Sequence, residues 1–261
     1  VLTDVMARSE MLSPTTDDLR MHNAVGAFNQ LTDLLFGDHA RVPAIEHAES
    51  AYMHVALQTV IEPDKLAEVP VAKLSGATLV TPGRPATERD ELIAAGPIAA
   101  RITTMRAALA AADRGIRSCL VMLPRSVHGQ GERHGFIPQL ITAARAKGVC
   151  GYIGDGASRW PAVHVKDAAS LYRLAIEQAP AGAVLNAVGD EGVPIREIAE
   201  AIGRHLNLPA RSLPAEEFGG MLVHLLSTDM PASSTITQDL LGWKPTHPGL
   251  IEDIEQGHYF R

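Results

Sequence analysis

The sequence predicts an α/β fold built on a largely parallel sheet. Two continuous apolar runs, IRSCLVML (116–123) and VLNAVG (184–189), have the length and composition of strands buried on both faces. A helical stretch at 97–114 precedes the first run, and stretches at 136–147 and 168–178 lie between the two. Strands that alternate with helices are joined by crossovers, which set the strands side by side in the same direction.

At 261 residues the chain can form one large α/β domain, or a core with a small lobe. Lys plus Arg number 23 against 30 for Asp plus Glu, a net charge of −7, and no basic run occurs. That balance argues against a non-specific nucleic-acid binder, which needs a concentrated positive surface. No apolar stretch approaches the ~18 residues of a membrane-spanning helix. The N-terminal VLTDVMARSE lacks an initiator Met and shows no basic region followed by an apolar segment. Cys119 and Cys150 both fall in apolar runs, as packing thiols rather than a disulfide, which suits a reducing compartment; a cytoplasmic location is expected.

In chain order, Thr15-Thr16-Asp17-Asp18 starts a helix over 15–36 whose apolar residues include Leu19, Val25, Phe28, Leu31 and Leu35, and Gly37 is its stop. A second helix, 43–61, runs from Pro43 to Pro63 and places His47 and His54 on one half-exposed face. VPVAKL (69–74) is a strand ending at Ser75-Gly76, and TPGRPATERDE is an exposed loop. Gly115 closes the Ala-rich helix and Gly148 closes the helix at 136–147. VCGYI is a short strand before the Gly154-Asp155-Gly156 turn. Asp167 is the expected N-cap of the 168–178 helix, with Ala168, Leu171, Leu174 and Ala175 facing inward. Pro194 opens the amphipathic IREIAEAIGRHL, and Thr235 or Thr237 opens a short helix before Leu241-Gly242-Trp243.

Four strings in this order carry a resemblance. CLVMLPRSVHGQG (119–131), WPAVHVKDAASLYRLAIE (160–177), VLNAVGDEGVPIREIAEAIGRHL (184–206) and LLGWKPTHPGLIEDI (240–254) resemble the extended and atypical short-chain dehydrogenase/reductase superfamily, in its NAD-dependent epimerase/dehydratase-like branch. The resemblance covers residues 75–261. It implies a Rossmann-like, doubly wound, largely parallel sheet with a small C-terminal substrate lobe, divided as a core over 1–189 and a lobe over 190–261. It also implies NAD or NADP as cofactor, and an oxidoreductase or epimerase-like activity on a small carbonyl, hydroxyl or sugar-derived substrate. The alternative is a non-catalytic nucleotide-binding or sensor member of the same fold. Homodimerisation through the 43–61 and 97–114 helices is a further analogy.

The resemblance makes Ser75 the residue that polarises a substrate carbonyl. It places Ser75, Gly76, Pro124, Ser126, Val127 and His128 beside the cofactor, because open parallel sheets bind ligands at the carboxyl ends of their strands. His128 is the candidate general acid, since imidazole titrates near neutrality. A metal reading would join it to Glu132 and His134, without a fourth ligand fixed by spacing. Arg159 and Trp160 are the candidate substrate contacts, a guanidinium being suited to a phosphate. His164 reads as a buried structural histidine.

Two features depart from the family pattern. No G-x-G-x-x-G or G-x-x-G-x-x-G occurs in residues 1–74, where Gly26 and Gly37 are the glycines. Either helices replace the first βαβ unit, or a natural segment carrying the loop is not represented. No Tyr has a Lys four residues later, and Arg101, near the aligned position, cannot donate a proton at neutral pH.

Overall fold

The computed structural model describes residues 70–75, 81, 83–92, 99–132 and 135–261. The expected helices at 15–36 and 43–61, with His47 and His54, lie outside the described residues, as do Gly76 and His134.

The chain forms β1 (Pro70–Ser75), α1 (Ala99–Ala110), β2 (Arg117–Met122), β3 (Ser126–His128) and α2 (Phe136–Lys147). It continues as β4 (Cys150–Tyr152), β5 (Arg159–His164), α3 (Val165–Gln178), β6 (Ala183–Asn186), β7 (Asp190–Pro194) and α4 (Ile195–Leu206). β8 (Ala210–Ser212), α5 (Gly220–Ser227), α6 (Thr235–Leu241) and α7 (Leu250–Glu255) complete it. α2 has the bounds its sequence predicts, and Gly148 closes it at φ +69°, a left-handed conformation that a Cβ would strain.

β1, β2 and β6 form a parallel sheet in that spatial order. β2 is central and buried on both faces. Leu120 and Met122 pack with Ile102 and Met105 of α1, while Cys119, Val121 and Leu123 pack with Leu171 and Ala175 of α3 and with Trp243. Helices therefore cover both faces, the doubly wound Rossmann-like arrangement expected. Alternation explains why the run reads as continuously apolar: each face of the strand has its own core.

A second sheet, β3-β5-β7, pairs β3 with β5 in parallel and β5 with β7 antiparallel. β4 pairs in parallel with β8. The largest apolar cluster lies here, joining Ile137 and Ile141 of α2, Trp160 of β5, Ile198 and Ile202 of α4, and Ile254 of α7. This cluster takes residues from both sides of position 189, and so does the sheet cluster, which recruits Leu241 and Trp243. Cys119 and Cys150 are buried free thiols in different clusters, and burial pushes the Cys119 thiol up to about 11. No helix among the described residues is long and apolar enough to cross a membrane.

The start of α3 corrects one expectation. The cap is His164, whose Nδ1 accepts from the Lys166 amide at 3.2 Å, and the helix begins at Val165. Asp167 instead turns inward, 2% exposed, and accepts from the amides of Thr246 at 3.1 Å and His247 at 3.0 Å. It also pairs with His247 Nδ1 at 2.7 Å. The Trp243 indole N–H donates to the Asp167 carbonyl and to Ser170 Oγ. A carboxylate in the first turn also suits the positive end of the helix. Burial pushes the Asp167 carboxyl up, but the His247 side chain and the two amides outweigh it and hold it below its ordinary value.

Asp167→Ala leaves two part-buried amides and an imidazole without their acceptor. It is expected to lower the unfolding free energy by about 2–4 kcal/mol in urea titration. A loss under about 1 kcal/mol would show that the Trp243–His247 segment is held by its apolar contacts instead.

Candidate functional site at the carboxyl edge of the sheet

Strand register sets the site. Ser75 lies opposite Met122, and Met122 opposite Asn186, so three parallel strands end in one row. Beyond the row is a small crevice lined by Ala86, Thr87, Met122, Leu123, Pro124, Asn186, Val188 and Ala232. Its polar groups come from Asn186 and Thr87, and the other linings are apolar.

The segment 83–92 forms one wall. The Asp90 carboxylate accepts from the Thr87 amide at 2.6 Å and pairs with the Arg84 guanidinium. That guanidinium, opposed by some burial, holds the Asp90 carboxyl well below the usual carboxylate range. The turn so formed aligns Ala86 between Pro231 and Ser233: the Ala86 amide donates to the Pro231 carbonyl and the Ser233 amide to the Ala86 carbonyl, both at 2.8 Å. Glu88 Oε1 accepts from the Thr237 amide at 3.0 Å and from Thr237 Oγ1 at 2.5 Å, capping α6. Thr237 Oγ1 in turn accepts from the Asn186 amide at 2.7 Å, and Asn186 Nδ2 donates to the Ser233 carbonyl at 2.8 Å. A loop, a strand end and a helix start are thus tied into one frame.

The residues expected beside the cofactor divide. Ser75 ends β1 in the edge row, and Pro124 lines the crevice. Ser126 starts β3 and is 2% exposed; its Oγ has no hydrogen-bond partner. Val127 is half-buried and packs toward the sheet cluster.

His128 is not on a rim loop. It pairs with His164 in the β3–β5 ladder and is 1% exposed, with Nδ1 3.0 Å from Asp253 Oδ2 of α7. Its Nε2 has no partner, and its ring meets the His164 ring edge-on at 5.5 Å. Tyr259 closes the network, donating to Glu132 Oε2 at 2.8 Å and to Asp253 Oδ2 at 3.1 Å, and accepting from the Gly129 amide. The chain turns inward because β3 pairs with β5 to satisfy its backbone, and that carries Gly129 against Tyr259 near the C-terminus. Burial pushes the Asp253 carboxyl up, but the His128 hydrogen bond and charge outweigh it and hold it below its ordinary value. Glu132 behaves oppositely: burial pushes its carboxyl up to about 7, against the pull of Tyr259 and His128. Among the described residues no group of three or more His, Cys, Asp or Glu is arranged to hold a metal ion.

The expected substrate contacts are occupied within the protein. Arg159 is held by Asp229, with Nε to Oδ1 at 3.0 Å, Nη2 to Oδ2 at 2.8 Å, and its amide to Oδ1 at 2.8 Å. Trp160 is 0% exposed, its indole N–H donating to the Leu225 carbonyl at 3.0 Å; the fully buried ring packs in the apolar cluster with Ile137, Ile198 and Ile202 rather than lining a pocket. Sequence reading missed Thr87, Glu88 and Asn186. A polar Asn ending an apolar strand, and a Thr-Glu pair inside a Pro-rich loop, were the available signals.

The model of the NAD dependent epimerase/dehydratase family matches residues 85–187. The chain is 48% identical over 152 residues to the uncharacterized protein C2A9.02 of Schizosaccharomyces pombe, covering 57% of this chain and 51% of that one. It is 37% identical over 206 residues to the uncharacterized protein YLL056C of Saccharomyces cerevisiae, covering 78% of this chain and 68% of that one. The first match therefore spans about half the length of that relative. In structure it resembles the dTDP-glucose 4,6-dehydratase DesIV of Streptomyces venezuelae with NAD and TYD bound, at 17% identity and TM-score 0.54, over 69% of this chain and 55% of that one. RMD of Pseudomonas aeruginosa complexed with NADPH is similar at 17% identity and TM-score 0.52, over 70% and 63%. At these identities the likeness is one of fold.

An acid whose folded pKa is raised binds more protons when native, so its burial costs stability as pH climbs from its ordinary value of 4.5 to about 7. Glu132→Gln, which keeps an acceptor for Tyr259, is expected to gain stability over the parent progressively across that window and to hold a constant difference above it. The depressed Asp167 and Asp253 act in another window, losing their contribution only as pH falls below the ordinary carboxylate range. Thermal melts of both proteins from about pH 4 to pH 8 test this, and a pH-independent difference would refute it.

Proposed function

We propose that this chain, which belongs to the NAD dependent epimerase/dehydratase family, binds NAD or NADP at the carboxyl edge of the β1-β2-β6 sheet. It would act there as an oxidoreductase or epimerase-like enzyme on a small carbonyl- or hydroxyl-bearing substrate. The supporting observation is the row Ser75–Met122–Asn186 opening onto the crevice at Pro124. Strand ends of an open parallel sheet direct backbone groups outward, where ligands collect.

The residues present suit the nicotinamide end of such a cofactor. Met122, Leu123 and Val188 offer apolar wall, Asn186 and Thr87 offer polar atoms, and Ser126 Oγ is a buried hydroxyl that the protein leaves unpaired. A buried hydroxyl without a partner costs stability, and a carboxamide would relieve that cost. When bound, the cofactor supplies hydride transfer. The chain's part is to orient it: Pro124 fixes the backbone direction as it leaves β2, and Ser75, which ends β1, is assigned by this reading to polarise a substrate carbonyl. Asn186 holds the wall in place through Ser233 and Thr237.

A second reading, a nucleotide-binding or sensor member without turnover, is favoured by His128. Its ring is closed off under α7, with Asp253 on Nδ1, instead of reaching the crevice as a proton donor. Turnover across a panel of carbonyl substrates separates the two readings.

NADH and NADPH fluorescence titration of the full chain tests the binding itself, and no change with either would sink it. Ser126→Ala is expected to weaken binding by roughly 2- to 10-fold, one hydrogen bond's worth, while leaving the melting temperature unchanged or higher. Unchanged affinity would remove Ser126 from the cofactor site.

A further inference from the structure

Apart from the crevice at the sheet edge, a cavity of about 90 Å³ lies between α2, α4 and the 217–226 segment, with Cys150 and Gly151 of β4 in its lining. Its inner wall is a face of the largest apolar cluster. Ala144, Ala199, Ile202 and Leu226 are buried in that cluster, and Leu140 and Phe218 pack against it. At 143, 144 and 199 the two helices turn alanines, not larger side chains, toward the space. Phe218 packs directly on β4 at Gly151, where an added Cβ would stand 2.9 Å from the ring. The ring is thereby committed to the wall and leaves the space open.

Among the described residues that line the cavity, Lys147 and Glu217 are the charged ones, and they pair with each other at 2.8 Å on the exposed side. The Cys150 thiol is on the buried side. A held water needs about two to four polar partners, and here it would find a thiol, a weak one. An ion fares no better, because the cation and the anion already neutralise each other and the walls are apolar. Interiors leave few voids larger than a water, and an apolar void forgoes van der Waals contact along its walls. A neutral apolar guest restores that contact without breaking a hydrogen bond.

We propose that this cavity is a binding site for a small uncharged alkyl compound. An apolar cavity of about 150 Å³ stays dry and takes benzene or xenon; scaled by volume, this one suits a branched alkyl group of about four carbons. The site stands independently of the cofactor reading, since none of its lining is shared with the crevice at Pro124.

NMR titration of the full chain with isobutanol, without nicotinamide cofactor, tests the inference. The methyl groups of Ile202 and Leu226 are reporters, as is the Trp160 indole N–H, which donates to the carbonyl of Leu225 next to Leu226. Saturable shifts at these groups are expected. Isobutyrate carries a charged head on a branched alkyl group and should bind at least about 10-fold more weakly. Ala199→Leu should weaken isobutanol binding by more than about 10-fold and leave the melting temperature equal to the parent or higher, because the added carbons fill the space. Ala143→Leu, on the α2 wall, should act in the same direction. Shifts that never saturate, or unchanged affinity in both variants, would overturn the proposal. A lowered melting temperature in both would overturn it too, by showing walls already in contact. Isobutyrate binding as tightly as isobutanol, and lost in Lys147→Met, would replace the neutral ligand with an anion and refute the class assigned here.

Discussion

Parallel pairing brings the carboxyl ends of β1, β2 and β6 into one row at Ser75, Met122 and Asn186, and the rest of the candidate site hangs on that register. A slip of one residue would turn Leu120 and Met122 away from α1 and expose Cys119 and Val121 to the wrong layer. Two-sided burial of β2 forbids that slip. The hydrophobic effect, acting on a strand with a separate core on each face, therefore decides where Pro124 leaves the sheet and where the crevice opens.

Around that row, buried polar groups join segments far apart in the sequence. Glu88, Asn186 and Thr237 bind the 83–92 loop, the end of β6 and the start of α6 into one wall. Asp167 and His247, and His128 and Asp253, do the same for the C-terminal segment, one pair placing its carboxylate on the core and the other on α7. The His128–Asp253 pair is buried on both sides, while in the Asp167–His247 pair only the carboxylate is; in each the directional hydrogen bonds specify one docking geometry where apolar contact alone would tolerate several.

The arginines show how far residue type falls short of role. Arg159 and Arg125 are both cationic, both beside family-like motifs, and both reach toward α5 or the loop after it. Asp229 satisfies the first, while the second has a carbonyl and an indole face. Asp229 lies seventy residues from Arg159, so no local pattern announces which guanidinium is taken. The same holds for His128. Its imidazole reads as a candidate general acid, yet the backbone demand for pairing with β5 draws it inside.

Sequence alone determined the alternation of strands and helices, the bounds of α2, the stop at Gly148, and the two-faced burial of β2, whereas the helix expected to run to Gly115 ends at Ala110 and passes through a 3-10 turn, Ala111–Arg114, before that glycine. These follow from local periodicity, from glycine's access to positive φ, and from the apolar content of single segments. Tertiary structure alone decided that His164 and not Asp167 caps α3, that Trp160 is core, and that Asn186 and Glu88 are joined through Thr237 at the end of β6. It also decided that both apolar clusters draw on either side of residue 189. Asp167, Trp160, Asn186 and Glu88 take partners 47 to 149 residues away, from Ser233 on Asn186 to Thr237 on Glu88. A side chain's partner is set by which strand ends and helix starts the register brings together, and that information is in no single segment.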